Sequence, residues 1–215
     1  GAIRLLKRVQ PVCFEDVVAT TSLNRPGASD YINNFVARKH GQEGVTVLDP
    51  ALEDILAPTY GIMLYQEQVM QVAQRFAGFS LGKADILRRA MGKKDASAMH
   101  EMRASFIQGS IEAGHTAEKA EQVFDVMEKF AGYGFNRSHA YAYSALAFQL
   151  AYFKTHYPAI FYQIMLNSAN SDYVTDALEV GFEVAPLSIN TIPYHDKIAN
   201  KSIYLGLKSL KGLSK

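Results

Sequence analysis

LGKADILRRAMGKK, residues 81–94, carries both the helical pattern and the charge on which the reading of the chain turns. At about 100° per residue, Ala84, Leu87, Ala90 and Met91 fall on one side, with Ile86 at its edge. Asp85, Arg88, Arg89, Gly92 and Lys93 fall together on the other. Asp85 precedes the two arginines by three and four residues, the spacing at which a carboxylate orients them. Gly92 leaves the middle of the basic strip without a side chain, so a ligand has room to approach the backbone. Basic residues near a helix C-terminus also complement its dipole, so the strip reads equally as a solvated face. Lys94 points away from the strip and reads as solvated.

Helical spacing continues on both sides of this stretch. Short helices punctuated by Pro11 and by RPG at residues 25–27 come first, and Asp30 is expected to cap the helix YINNFVARKH, ended by Gly41. A short helix follows Pro50, another covers residues 65–76, and Gly78 with Gly82 is expected to break the chain before ILRRAM. Helices are expected over residues 97–112, 116–131 and 138–156, with Pro158 opening another and a last one over residues 173–180. After Val184 short extended runs around a turn predict a small β-hairpin. The fold class is mainly α, with a helical domain over residues 1–185 and a small β-containing end over residues 186–215.

Composition sets limits. Of 215 residues 48% are hydrophobic and 20% charged, enough apolar material for a sizeable core. A net charge of +1 means that any nucleic-acid binding must rest on local clusters. Cys13 is the single cysteine, which excludes an internal disulfide and fits a reducing cytoplasm. The longest uncharged run, residues 140–153, is too short to span a bilayer and is broken by Tyr141, Tyr143, Ser144 and Gln149, so it reads as a buried helix. Both ends read as cut from a longer chain, since the sequence starts without Met inside a helical pattern and stops at the beginning of an element.

Three further stretches carry polar groups. In GYGFNRSHAYAYS, residues 132–144, two glycines lead into a helix N-terminus, where free N–H groups attract phosphate. Arg137 adds a planar fork of donors and His139 a donor for a phosphate or a base. The same residues also read as a turn with a capping histidine. In YQEQVMQVAQ, residues 65–74, Tyr65, Gln66 and Gln68 are candidates to contact a base or backbone, and the glutamines read equally as solvated. Arg25, Arg38, Lys39 and His40 form another local basic group, which reads equally as ordinary surface. The histidines are not at metal-ligand spacing, and the sequence contains no Walker loop, Rossmann fingerprint, Asp-x-Asp or Gly-x-Ser-x-Gly. Catalytic machinery is therefore not visible in this chain.

Taken in order, RPGASDYINNFVARKHG, PTYGIMLYQEQVMQVAQRFAGFSLGKADILRRAMGKK, EKFAGYGFNRSHAYAYSALAFQLAYFKTHYPA and YLGLKSLKGL closely resemble the C family of bacterial replicative polymerases, the DNA polymerase III alpha subunits. The likeness covers almost the whole chain. Two departures are Ala28, where the family usually has proline, and Arg137, where lysine is common. The resemblance implies a multi-helix fingers domain that follows a palm bearing the catalytic aspartates, with YLGLKSLKGL leading toward a helix-hairpin-helix region. It implies a DNA-directed DNA polymerase whose fragment alone is inactive, with no catalytic residue, metal or cofactor in this stretch and Mg²⁺ held by palm carboxylates. Arg88 and Arg89, supported by Lys93, are then candidates for the dNTP triphosphate. Arg137 and His139 belong to the same pocket or the adjacent template, with Tyr133 and Tyr143 packing there and Gln66 as a DNA contact. Arg25, Arg38 and Lys39 are candidates for the DNA backbone. Expected partners are template-primer DNA, dNTP, the remaining polymerase domains and, for the whole protein, the replisome sliding clamp, with a cytoplasmic location and no membrane. A stand-alone helical nucleic-acid-binding module without catalytic role is the alternative.

Overall fold

The structure, a computed structural model, describes residues 1–93, 96–131, 134–167 and 172–209. It is mainly α-helical and divides into two compact units, Gly1–Ser144 and Ala145–Lys215.

In the first unit, α1 (Ala2–Val9), α2 (Phe14–Leu23) and α3 (Ile32–Lys39) bury Val9, Val18, Leu23 and Phe35 in one cluster. Pro11 separates α1 from α2, and Asp16 folds back on the start of α2 to accept the Val12 and Cys13 amides at 2.9 and 3.4 Å. Asp30 does not cap α3. It lies within a 3₁₀ turn, Ala28–Tyr31, that begins at Gly27 and runs straight into α3, with the Ile32 amide bonded to the Ser29 carbonyl and Tyr31 already helical, so α3 has no extended capping residue before it.

The larger cluster is built by α4 (Glu53–Leu56), α5 (Gln66–Ala77), α6 (Leu81–Lys93), α7 (Ala96–Glu112) and α8 (Ala117–Ala131). Phe76 stacks on Phe106 at 6.1 Å within it, and Phe124 meets Phe106 tilted at 5.5 Å. The break before α6 is shorter than the sequence suggested. Gly78 takes φ 65° and ends α5, while the Ser80 hydroxyl accepts the Lys83 amide and starts α6, so Gly82 is helical.

Gly109 on α7 sits where a Cβ would drive into the Ala77 carbonyl oxygen at the end of α5. Two backbones, unlike a side chain, have little freedom to give way. Gly109→Ala should therefore cost about 3 kcal/mol, the upper end for overpacking. Urea unfolding measures it, and an unchanged midpoint would mean that α5 and α7 separate freely.

The helix α9 (Arg137–His156) is roughly 30 Å long. Ala140 and Ser144 near its start are buried, and Ser144 lies 3.0 Å from the Thr21 hydroxyl. Beyond them Leu146, Phe148, Leu150, Tyr152 and Phe153 are exposed. The expectation that residues 140–153 are buried is thus met only at Ala140 and Ser144. The small residues allow close packing on α2, whereas the later residues are apolar all round and exceed what one neighbouring surface covers.

In the second unit, α10 (Pro158–Leu166) opens on its proline and α11 (Asp172–Glu179) follows. β2 (Lys197–Ala199) and β3 (Ser202–Tyr204) form the expected hairpin, turning through Asn200 and Lys201, both at positive φ. β1 (Glu183–Val184) adds a parallel strand on β3, giving the order β1-β3-β2. Ile203 and Phe182 share one core with Phe161, Tyr162, Leu166 and Ala177. The strands thus share their core with α10 and α11. Among the described residues, no helix is long and apolar enough to cross a membrane.

Candidate functional site

The outer face of α6 is as its spacing implied. Ala84, Leu87, Ala90 and Met91 are buried and the charged strip faces out. Asp85 sits between two guanidiniums: Arg88 Nε donates to Oδ1 at 2.9 Å, and Arg89 Nη2 lies 2.6 Å from Oδ2. The Arg88 guanidinium first, and then that of Arg89, holds the Asp85 carboxyl below its ordinary range, so it stays ionised. Arg88 is 30% exposed and Arg89 66%. Lys93 is exposed, and a Cβ at Gly92 would meet nothing. Three cations against one carboxylate leave this face with two positive charges.

The start of α5 joins this face to the start of α9. Gln66 Oε1 accepts from Arg88 Nη1 at 3.3 Å, so Gln66 is occupied with an arginine of its own chain. The Gln66 amide donates to the Phe135 carbonyl at 3.0 Å, and the Phe135 amide to the Leu64 carbonyl at 3.3 Å, a short parallel bridge. Glu67 then reaches α9: its Oε1 accepts from Asn136 Nδ2 and its Oε2 from the Arg137 amide, both at 2.9 Å. A helix N-terminus read as a phosphate site thus holds a carboxylate, which takes the Arg137 amide and complements the same dipole.

Arg137 reaches Glu15 at 2.6 Å, with its guanidinium 5.9 Å from the Tyr65 ring centroid. Burial, the largest influence, pushes the Tyr65 phenol well above its usual range, so it stays neutral. Tyr65 and Gln68 are both buried. Gln68 Oε1 accepts the Leu64 and Tyr65 amides at 2.7 and 2.9 Å, so its acceptor is taken up within the core. His139 is exposed and packs on Tyr143 at 4.5 Å and Phe135 at 5.5 Å, with Arg25 lying 5.0 Å over the Phe135 ring. Arg25 from the RPG turn therefore joins His139 and Tyr143 through the Phe135 ring, while Arg137 turns to Glu15 and Tyr65. Tyr133 and Lys94 lie outside the described residues.

Arg38 and Lys39 serve the fold. Arg38, 14% exposed, donates to Glu43 at 2.8 Å and to the Tyr60 carbonyl at 3.1 Å. Lys39 Nζ lies 2.9 Å from Asp16 Oδ2, with side-chain exposures of 5% and 3%. Each cation is paired with a carboxylate of the fold, Arg38 with Glu43 and Lys39 with Asp16.

A cleft of about 1000 Å³ lies on the other side of α5. Its charged lining pairs Arg75 and Arg137 with Asp54 and Glu67, so it has no net pull on phosphate. Among the described residues, no three of His, Cys, Asp and Glu are placed to hold a metal ion. Asp85 and Glu67 are committed to arginine and helix-terminal donors, so the site residues do not fit a Mg²⁺ pair, and no metal-dependent step is assigned to them. Glu67 and Glu15, which the sequence reading passed over, are the acids that organise α9. An acid in the first turn of α5 signals only dipole compensation, without naming a partner.

The family model described as bacterial DNA polymerase III alpha subunit finger domain matches residues 1–114. The DNA polymerase III subunit alpha of Streptococcus pyogenes is 64% identical over 213 residues, covering 99% of this chain and 21% of the relative. Those of Pasteurella multocida and Staphylococcus epidermidis are 45% and 43% identical, again over 99% of this chain and 20% and 21% of the relatives. The chain therefore spans about a fifth of the length of the curated relatives that it matches. By its match to the family model over more than half its length, and by these identities, the chain belongs to the finger-domain family of the bacterial DNA polymerase III alpha subunit.

Proposed function

We propose that the outer face of α6 receives the triphosphate of an incoming dNTP in a DNA-directed DNA polymerase acting on template-primer DNA. The observation that carries this reading is the Asp85 carboxylate between Arg88 and Arg89 on an exposed face. One shared acceptor pre-orders two forks of donors while the face keeps a net positive charge. Such a face meets phosphate oxygens with little reorganisation, and in phosphoryl transfer positioning and charge stabilisation are most of the work. Lys93 adds a third cation one turn on, and open space at Gly92 lets the phosphates come close. His139 and Tyr143 offer a donor and a ring to the base or the adjacent template, with Arg25 over the neighbouring Phe135 ring.

The carboxylates on this face are engaged, so the reaction draws its metal ligands from elsewhere in the polymerase. A polymerase carrying a photoreactive group on the dNTP γ-phosphate should be labelled on residues 81–93. Label confined to other segments would overturn the assignment. The 215-residue chain alone, given primer-template, dNTPs and Mg²⁺, should show no extension, and robust extension would show that it carries catalytic carboxylates after all.

A further inference from the structure

We propose that Gln66 is a positioning residue for the nucleotide site and acts through Arg88, which it holds against the start of α9. The proposal rests on the reading of α6 as the triphosphate face. Adjacent residues on a helix point about 100° apart, so Gln66 and Glu67 reach different neighbours from one turn of α5. Gln66 takes Arg88 on α6 at 3.3 Å, and Glu67 takes Asn136 and the Arg137 amide at 2.9 Å. The bridge between Tyr65 and Phe135 fixes the backbone from which both extend.

Gly134 completes the arrangement. A Cβ there would lie 2.9 Å from the Phe130 ring and 3.4 Å from Gln66 Cγ, so glycine leaves the room in which Gln66 lies. Without Gln66, Arg88 keeps Asp85 but loses the hydrogen bond that ties it to α5, outside its own helix. A neutral amide is the suitable holder: it accepts one N–H from Arg88 and leaves the guanidinium charge free for phosphate. A carboxylate at position 66 would cancel that charge, as Asp85 already does in part.

The test is a cycle of Gln66→Ala, Arg88→Ala and the double variant in full-length polymerase, read by dNTP KM, kcat and primer-template Kd. Gln66→Ala should raise dNTP KM about tenfold, with primer-template Kd within about twofold of wild type. In the Arg88→Ala background it should add nothing, since its effect passes through that arginine. Full additivity of the two KM effects, no change from Gln66→Ala, or weakened primer-template binding would each overturn the proposal. The last would make Gln66 a DNA contact. If Arg88→Ala itself leaves dNTP KM unchanged, the triphosphate reading fails instead, a separate outcome of the same cycle.

Discussion

Replacing Arg88 and Arg89 together by alanine should lower kcat/KM for dNTP by about 10²- to 10⁴-fold in full-length polymerase, with the fold retained. Each arginine offers charge-assisted bonds to phosphate worth roughly 1.5–3 kcal/mol apiece, and two such losses compound to that range. Retention of fold follows from where the side chains lie. Ala84, Leu87, Ala90 and Met91 anchor α6, and neither arginine enters that core. The orphaned Asp85 faces solvent, where an unpaired carboxylate costs little. Its carboxyl should return toward the ordinary range, since the two guanidiniums are what hold it down. Side-chain carboxyl titration by NMR would report that return independently of catalysis. Unchanged dNTP kinetics in the double variant would remove the triphosphate assignment and leave a helical module that binds DNA or nothing.

Lys39→Met should destabilise the first unit by about 3–5 kcal/mol, because it strands a buried carboxylate. Lys39 and Asp16 have side-chain exposures of 5% and 3%, so water does little to compensate. The pair's pH dependence follows from two opposed shifts. For Asp16, burial acts to raise the pKa, but the Val12 amide and Lys39 outweigh it and hold it below the ordinary range. Its stabilisation is thus present above that range and lost as pH falls through the depressed value. For Lys39, burial acts to lower the pKa, and the Asp16 hydrogen bond outweighs it and raises it. That contribution is present below the ordinary lysine range and lost as pH rises through the elevated value. The gap in urea midpoint between wild type and Lys39→Met should be widest from about pH 5 to pH 9 and shrink at both ends. A gap that does not change with pH would mean that the lysine stabilises by its aliphatic stem alone.

How much of this was legible in the sequence depends on how far apart the partners are. The face of α6 was legible because everything that determines it lies within one helix. Ala84 and Leu87 turn inward, and Asp85 meets residues three and four positions on. Most helix ends were legible to within a residue or two for the same reason. The exceptions were local too, at Asp30, where a 3₁₀ turn intervenes, and at Gly82, where Ser80 supplies the cap. The organisation of the site was not legible. Glu67 meets the Arg137 amide across 70 positions and Glu15 meets the Arg137 side chain across 122, and periodicity carries no information at that range. The ion pair of Lys39 was equally hidden, because its partner Asp16 is 23 residues upstream. The second half of α9 misled in the opposite sense. Its composition asks for burial, yet the structure leaves it exposed.

The twin reach of Gln66 and Glu67 also has a consequence for descent. Three separated words of the sequence, YQEQ, LRRAM and FNRSH, are bound by side-chain pairs that no single word satisfies. Across related polymerases, positions 66 and 88 should therefore change together, as should 67 and 136, while Ile86 and other outward residues drift independently. A chimera that takes α5 from one parent and α6 with α9 from a distant one would inherit both halves of each pairing mismatched, although every helix in it would be well formed.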